Sequence, residues 1–276
     1  MPADTERFRD RADAGRRLAQ RLHHYAGRDG VVVLGLPRGG VAVAAEVARE
    51  LDAPLDVFVV RKLRLPGDED HSFGAVATGG TRVLIKGVVQ ALDIPADWIE
   101  AVDAEERRVL ARVNRDHRGD RPPPELAGRT VILVDEGATV GETMVAAVRA
   151  VRLEDPACVV VGLPVADAGT CEELGAIADE VVCLHTPRPL RSIAEWYDDF
   201  TLVPDDDVRG PCATATWRTR STRSSTISGA GTAGGRRRSC GTTTRTSATR
   251  GRPSSARRGS TASASSSASA TATKTR

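Results

Sequence analysis

No stretch of the sequence approaches 18 uninterrupted apolar residues, which excludes a membrane-spanning helix. The opening residues, Met1-Pro2-Ala3-Asp4-Thr5-Glu6-Arg7, lead into no apolar h-region, so no secretory signal is expected and the chain is placed in the cytoplasm. Cysteine is sparse, at positions 158, 171, 183, 212 and 240, and forms no CxxC pair. That argues against a zinc ribbon or a thioredoxin-type site, and an odd, scattered set fits a reducing compartment. Neither GxxxxGK[ST] nor GxGxxG occurs, which excludes a Walker loop and the dinucleotide fingerprint.

Acidic residues are absent from one end altogether. Beyond Arg209 there are 13 Lys and Arg and no Asp or Glu. The first 209 residues therefore keep 26 of the 39 basic groups against all 37 acidic ones, a net of −11. A chain of formal charge +2 is thus an acidic body joined to a strongly basic tail. The tail, Gly210–Arg276, has no Leu, Val or Phe and a single Ile, Ile227. It lacks the apolar area that would offset the entropy of ordering, and disorder is expected there. It reads either as a basic arm for nucleic acid or as the out-of-frame product of a GC-rich gene. Its Ala, Arg, Gly, Ser and Thr content favours the second.

The body alternates between two periodicities. Phe8, Ala12, Leu18, Leu22 and Tyr25 recur at helical spacing over 5–26. Short apolar runs follow at 31–37, 55–63, 130–136, 158–166 and 180–187, and helical patterns at 41–51, 96–117, 141–151 and 169–178. Gly79-Gly80 sits between two β-like arms in 74–87, a hairpin signal. The strands are continuously apolar and alternate with helices, which predicts a doubly wound α/β domain with a mainly parallel sheet covered on both faces. Its core is expected over about 27–190. The hairpin and the 96–117 helix form an excursion, and 1–26 and 187–209 form flanking hood elements.

In such a sheet ligands bind beyond the carboxyl ends of the strands, and three strand ends carry chemistry. After 31–37 come Arg38, Gly39 and Gly40, where glycines let backbone amides approach an anion and Arg38 adds a forked donor. After 55–60 come Arg61, Lys62 and Arg64, a cation cluster that reads as a polyanion site or as a solvated edge. After Val131-Ile132-Leu133-Val134 come the carboxylates Asp135 and Glu136, the loop Gly137-Ala138-Thr139-Val140-Gly141, and a helix opening on Glu142-Thr143. Loop amides at a helix N-terminus suit a phosphate monoester, and the adjacent acidic pair offers acceptors for sugar hydroxyls.

That last segment resembles the 5-phosphoribosyl-1-pyrophosphate (PRPP) motif of type I phosphoribosyltransferases. Leu36-Pro37-Arg38-Gly39-Gly40 is similar to the family's pyrophosphate loop, and Phe58–Lys62 to the basic strand end of its orotate-type members. The hairpin falls where the family keeps a mobile loop. The Leu-Pro-Arg-Gly-Gly and Arg-Lys-Leu-Arg-Leu-Pro pair also resembles a bacterial group of such proteins of unsettled substrate. The likeness covers about 5–209 and none of the tail. It implies that Asp135 and Glu136 bind the ribose hydroxyls and stabilise charge developing on the sugar. It implies that the amides of Gly137, Ala138, Thr139, Val140, Gly141, Glu142 and Thr143, with the Thr139 and Thr143 hydroxyls, hold the 5-phosphate. Arg38 and Gly39 would hold pyrophosphate, helped by Arg61 and Lys62. Magnesium would be bound through substrate and water, without a protein cage. The implied reaction transfers phosphoribosyl from PRPP to a nitrogenous acceptor, a nucleobase or related heterocycle, and releases pyrophosphate. The alternatives are a PRPP or nucleotide sensor that binds nucleic acid, and an inactive gene product. A homodimer is left open.

Val140 departs from the family pattern, which often has Thr there. A hydrogen bond lost to a charged group is worth about 1.5–3 kcal/mol, or roughly 10- to 100-fold in affinity. Four further features read as bland. His71 and the acidic run Asp68, Glu69 and Asp70 look like a solvated loop that could close over the site. Trp196 and Tyr197 look like packing of a C-terminal lid rather than a stack for an acceptor base. His23, His24, His117 and His185 show no partner pattern.

Overall fold

The computed structural model describes residues 7–65 and 68–204, with the backbone alone for 68–71. The tail beyond Arg209 lies outside the described residues. A parallel sheet holds β1 (Val31–Gly35), β2 (Leu55–Val57), β6 (Thr130–Val134), β7 (Cys158–Val165) and β8 (Glu180–His185) in the order β2-β1-β6-β7-β8. Every neighbouring pair in it is parallel. Helices α1 (Arg11–Arg21), α2 (Gly39–Leu51), α5 (Glu142–Arg152) and α6 (Ala168–Gly175) pack around it. Among the described residues no helix is long and apolar enough to cross a membrane.

Continuous burial explains the unbroken apolar strands. Val31, Val33, Ile132, Val134 and Val160 point into the core beneath α1 and α2. Their neighbours Val32, Leu34, Val131, Leu133, Val159 and Val161 point into the core around α5. Both faces of β1, β2, β6 and β7 are therefore buried, whereas β8 at the sheet edge is only half-buried throughout, and each fully buried Val or Leu contributes about 1.5–3 kcal/mol. A third cluster joins Phe8 to Val165, Trp196 and Tyr197.

Three expectations change. The 55–63 run is two strands, because Phe58 still donates to Gly35 O (3.0 Å) while Val59 turns away to Thr78 Oγ1 (2.9 Å). The chain then enters a separate antiparallel sheet of β3 (Val60–Leu65), β4 (Asp68–Ala77) and β5 (Arg82–Leu84), followed by α3 (Lys86–Ala91) and α4 (Ala96–Arg118). The segment 68–72 is thus strand rather than open loop, since Ser72 pairs with Arg64 and Asp68 with Leu65. The side chains of Asp68, Glu69, Asp70 and His71 lie outside the described residues. Finally, the first helix begins only at Arg11. Asp10 caps it by accepting from Asp13 N (2.6 Å). The residues before it run extended beside the C-terminal segment, where Phe8 N donates to Trp196 O and Asp198 N to Phe8 O, both 2.8 Å.

Two internal ties hold the excursion. Arg118 at the end of α4 forms a forked, buried ion pair with Asp56 of β2, at 2.9 and 2.7 Å. The hairpin turn is anchored by Thr78 on Asn114 (2.9 Å), Arg107 on Gly80 O (2.7 Å) and Thr81 on Glu154. Cys171 of α6 and Cys183 of β8 face each other with Cα atoms 7.2 Å apart, wider than a disulfide ordinarily spans.

Candidate active site

The strand order reverses between β1 and β6, and a crevice is expected at their carboxyl ends. A cavity of about 250 Å³ opens there. Leu36, Pro37, Arg38 and Gly39 line it from the β1 side, and Asp135, Glu136, Gly137 and Thr143 from the β6 side. Phe58, Val60 and Ile193 complete an apolar wall. The Pro37–Arg38 peptide is cis.

The two loops meet at van der Waals distance. A β-carbon on Gly40 would stand 2.7 Å from Asp135 Oδ1, and one on Gly39 would overlap the Glu136 carboxylate. Glycine is required at both positions by this close approach. Asp135 takes the Glu136 backbone N–H at 2.8 Å. Desolvation at the cavity floor, with the adjacent Glu136 charge, outweighs that bond and pushes the Asp135 carboxyl up to about 8. Glu136 is held differently. Arg11 Nε donates to its Oε2, and the Tyr197 hydroxyl donates to its backbone oxygen at 2.7 Å. Burial and the Glu136 charge together raise the Tyr197 phenol far above its ordinary value, so it stays protonated as a donor.

The loop after the acidic pair is pinned to β7 and α6. Ala138 N donates to Val165 O (3.0 Å), and Asp167 N to Ala138 O (3.0 Å). The Thr170 hydroxyl donates to Thr139 O at 2.8 Å. Gly141 sits at φ 72° with the Thr170 methyl against it, so a side chain there would be strained and obstructed. Helix α5 starts at once, and its first-turn amides lie beyond the reach of intrahelical carbonyls.

The expected residues are therefore partly gathered. Arg38, Gly39, Asp135, Glu136, Gly137 and Thr143 line one cavity. The Ala138 amide is committed to β7. Val140 is exposed at the loop tip, and Thr139 and Gly141 serve the loop's shape. Arg61 and Lys62 are separated by the alternation of β3. Arg61 pairs with Glu106 of α4 at 2.8 Å, and Lys62 pairs with Glu142 at the start of α5. The cation run is thus not one patch, and Lys62 sits against the start of α5. Trp196 and Tyr197 are buried as packing, as expected. Arg11 and Thr170 carried no signal in the sequence. Both look like ordinary helix residues until the fold brings them to Glu136 and Thr139.

Comparison with known proteins identifies the family and the fold. The family model described as "Phosphoribosyl transferase domain" matches residues 5–200. The chain belongs to the phosphoribosyl transferase domain family. It is 45% identical over 206 residues to proteins named "Putative phosphoribosyl transferase" in Mycobacterium tuberculosis strains CDC 1551 / Oshkosh and ATCC 25618 / H37Rv. The match takes in 73% of this chain and 45% of each relative, so the chain spans less than half the length of the curated relatives that it matches. The solved structure of TT1426 from Thermus thermophilus superposes with a TM-score of 0.69 at 42% identity, covering 76% of this chain and 99% of that one. The phosphoribosyl transferase fold thus accounts for the parallel sheet.

Proposed function

We propose that this domain is a cytoplasmic phosphoribosyltransferase that takes PRPP, as its magnesium complex, and transfers the phosphoribosyl group to a nitrogenous heterocycle with release of pyrophosphate. The observation that carries the reading is the packing of Gly39 and Gly40 against Asp135 and Glu136 across one cavity, with α5 starting at its rim. That arrangement sets anion-accepting backbone, hydroxyl-accepting carboxylates and a helix N-terminus within the span of one phosphosugar. Asp135 and Glu136 would hold the ribose hydroxyls and stabilise positive charge as the bond to pyrophosphate lengthens. Arg38 and the Gly39 backbone would neutralise the leaving group. Gly137, Thr143 and the first amides of α5 would hold the 5-phosphate, with Lys62 beside them. Phe58, Val60 and Ile193 offer an apolar wall for a planar acceptor. Magnesium would arrive with PRPP and be held through substrate oxygens and water.

Pyrophosphate release measured with PRPP, magnesium and a panel of bases tests the reading. Turnover with at least one base is expected. No heat of PRPP binding at millimolar ligand would overturn it. Asp135→Asn combined with Glu136→Gln should abolish turnover. Binding without turnover for every base, lost in the same variant, would instead favour a PRPP sensor.

A further inference from the structure

We propose that Arg11 is the positioning residue of the acidic pair: it fixes the Glu136 carboxylate against the Gly39 loop and cancels its charge, so that a polyanionic phosphosugar can enter. This rests on the functional reading above and extends it to the terminal segments of the fold.

Arg11 is constrained on three sides. Its Nε donates to Glu136 Oε2. Its Nη1 donates to Thr201 O at 2.7 Å. Its guanidinium lies over the Phe200 ring, 4.2 Å from the centroid. Its side chain is 11% exposed and that of Glu136 22%, so solvent and salt screen the pair weakly. Glu136 is constrained as well. Tyr197 holds its backbone oxygen, and Gly39 leaves no room behind its carboxylate. The charged and titratable groups set around Glu136 include Arg11 from α1, Asp135 from its own loop and Tyr197 from the C-terminal segment, and Arg38 lines the same cavity.

The geometry distinguishes positioning from direct binding. One Arg11 donor is spent on Glu136, one on Thr201, and Phe200 covers a face of its plane. The Glu136 link uses a single nitrogen rather than the fork, so the carboxylate retains acceptor capacity for a ligand hydroxyl. With Asp135 held largely protonated by burial, Glu136 carries the charge of the pair; left uncompensated it would repel the phosphates of the ligand, and Arg11 cancels it.

The test is a cycle of four full-length proteins: wild type, Arg11→Gln, Glu136→Gln and the double variant. It is read by steady-state kinetics in PRPP and by calorimetry with PRPP and magnesium. Arg11→Gln should raise KM for PRPP about 10- to 100-fold, with a much smaller change in kcat. Arg11→Lys, which keeps the charge but not the planar fork, should recover part of it. In the Glu136→Gln background, Arg11→Gln should add little. An unchanged KM in Arg11→Gln, or an effect that persists undiminished without the Glu136 charge, would overturn the proposal while leaving the functional reading intact. Absence of PRPP binding by the wild type overturns both. Should Arg11→Gln fail to fold, Phe200→Leu carries the test: it removes the ring and leaves both charges. A raised KM upholds the proposal and an unchanged KM overturns it.

Discussion

Gly39 carries its Cα so close to Glu136 that a β-carbon there would overlap both carboxylate oxygens. The glycine loop and the acidic loop are thus two halves of one packed unit, each setting the position of the other. Gly39→Ala must displace either Glu136 or the loop, and overpacking of this kind costs about 1–3 kcal/mol. A modest fall in melting temperature is expected, with at least tenfold weaker PRPP binding by calorimetry. Unaltered binding would show that the loop moves freely away from the carboxylate.

Asp135 gives the molecule a definite pH signature. Its folded value of about 8 stands above the unfolded value of about 3.9, so the folded state holds the extra proton between them. This contribution is fully present below pH 4, falls as pH rises toward 8, and is flat beyond, with a slope of at most about 1.4 kcal/mol per pH unit. Asp135→Asn imitates the protonated form and removes the slope. Melting curves from pH 4 to 9 should show the variant gaining on the wild type as pH rises. Parallel curves would refute the assignment.

Val140 is 67% exposed at the tip of the loop pinned by Thr170. Replacing it by Thr introduces a donor at the expected phosphate position without disturbing the core. PRPP affinity should tighten about tenfold, within the range of a hydrogen bond to a charged group. Thermal stability should stay within about 0.5 kcal/mol.

The Asp56–Arg118 pair is almost fully buried, at 1% and 3% exposure. Breaking it by Arg118→Leu leaves the buried Asp56 carboxylate with the longer Arg121 contact (3.6 Å) in place of its fork and should cost about 3 kcal/mol in urea denaturation. Replacing both partners with apolar residues of similar volume should recover most of that loss.

Much of this design was readable from the chain itself. Val131 to Thr143 shows an apolar strand, two carboxylates and a glycine-bearing turn in immediate succession, and local order suffices to place them. The corner at Phe58 and Val59 was not readable. Both are as apolar as their neighbours, and only the hydrogen-bond partner of Val59 marks the change of sheet. Arg61 and Lys62 looked like one cluster because charge in a sequence carries no direction, whereas β3 sends them to Glu106 and Glu142. Arg11 could not be found at all, since its partner lies 125 residues away.

The bond from Arg11 to Thr201 and its stacking on Phe200 also have a temporal meaning. On the ribosome, the first helix waits through the synthesis of every strand before its arginine meets that ring. The contacts of Arg11 to Glu136, Phe200 and Thr201 cannot all exist until residue 201 has been made. The packing that seats Glu136 is therefore completed by residues nearly two hundred positions after the arginine that anchors it.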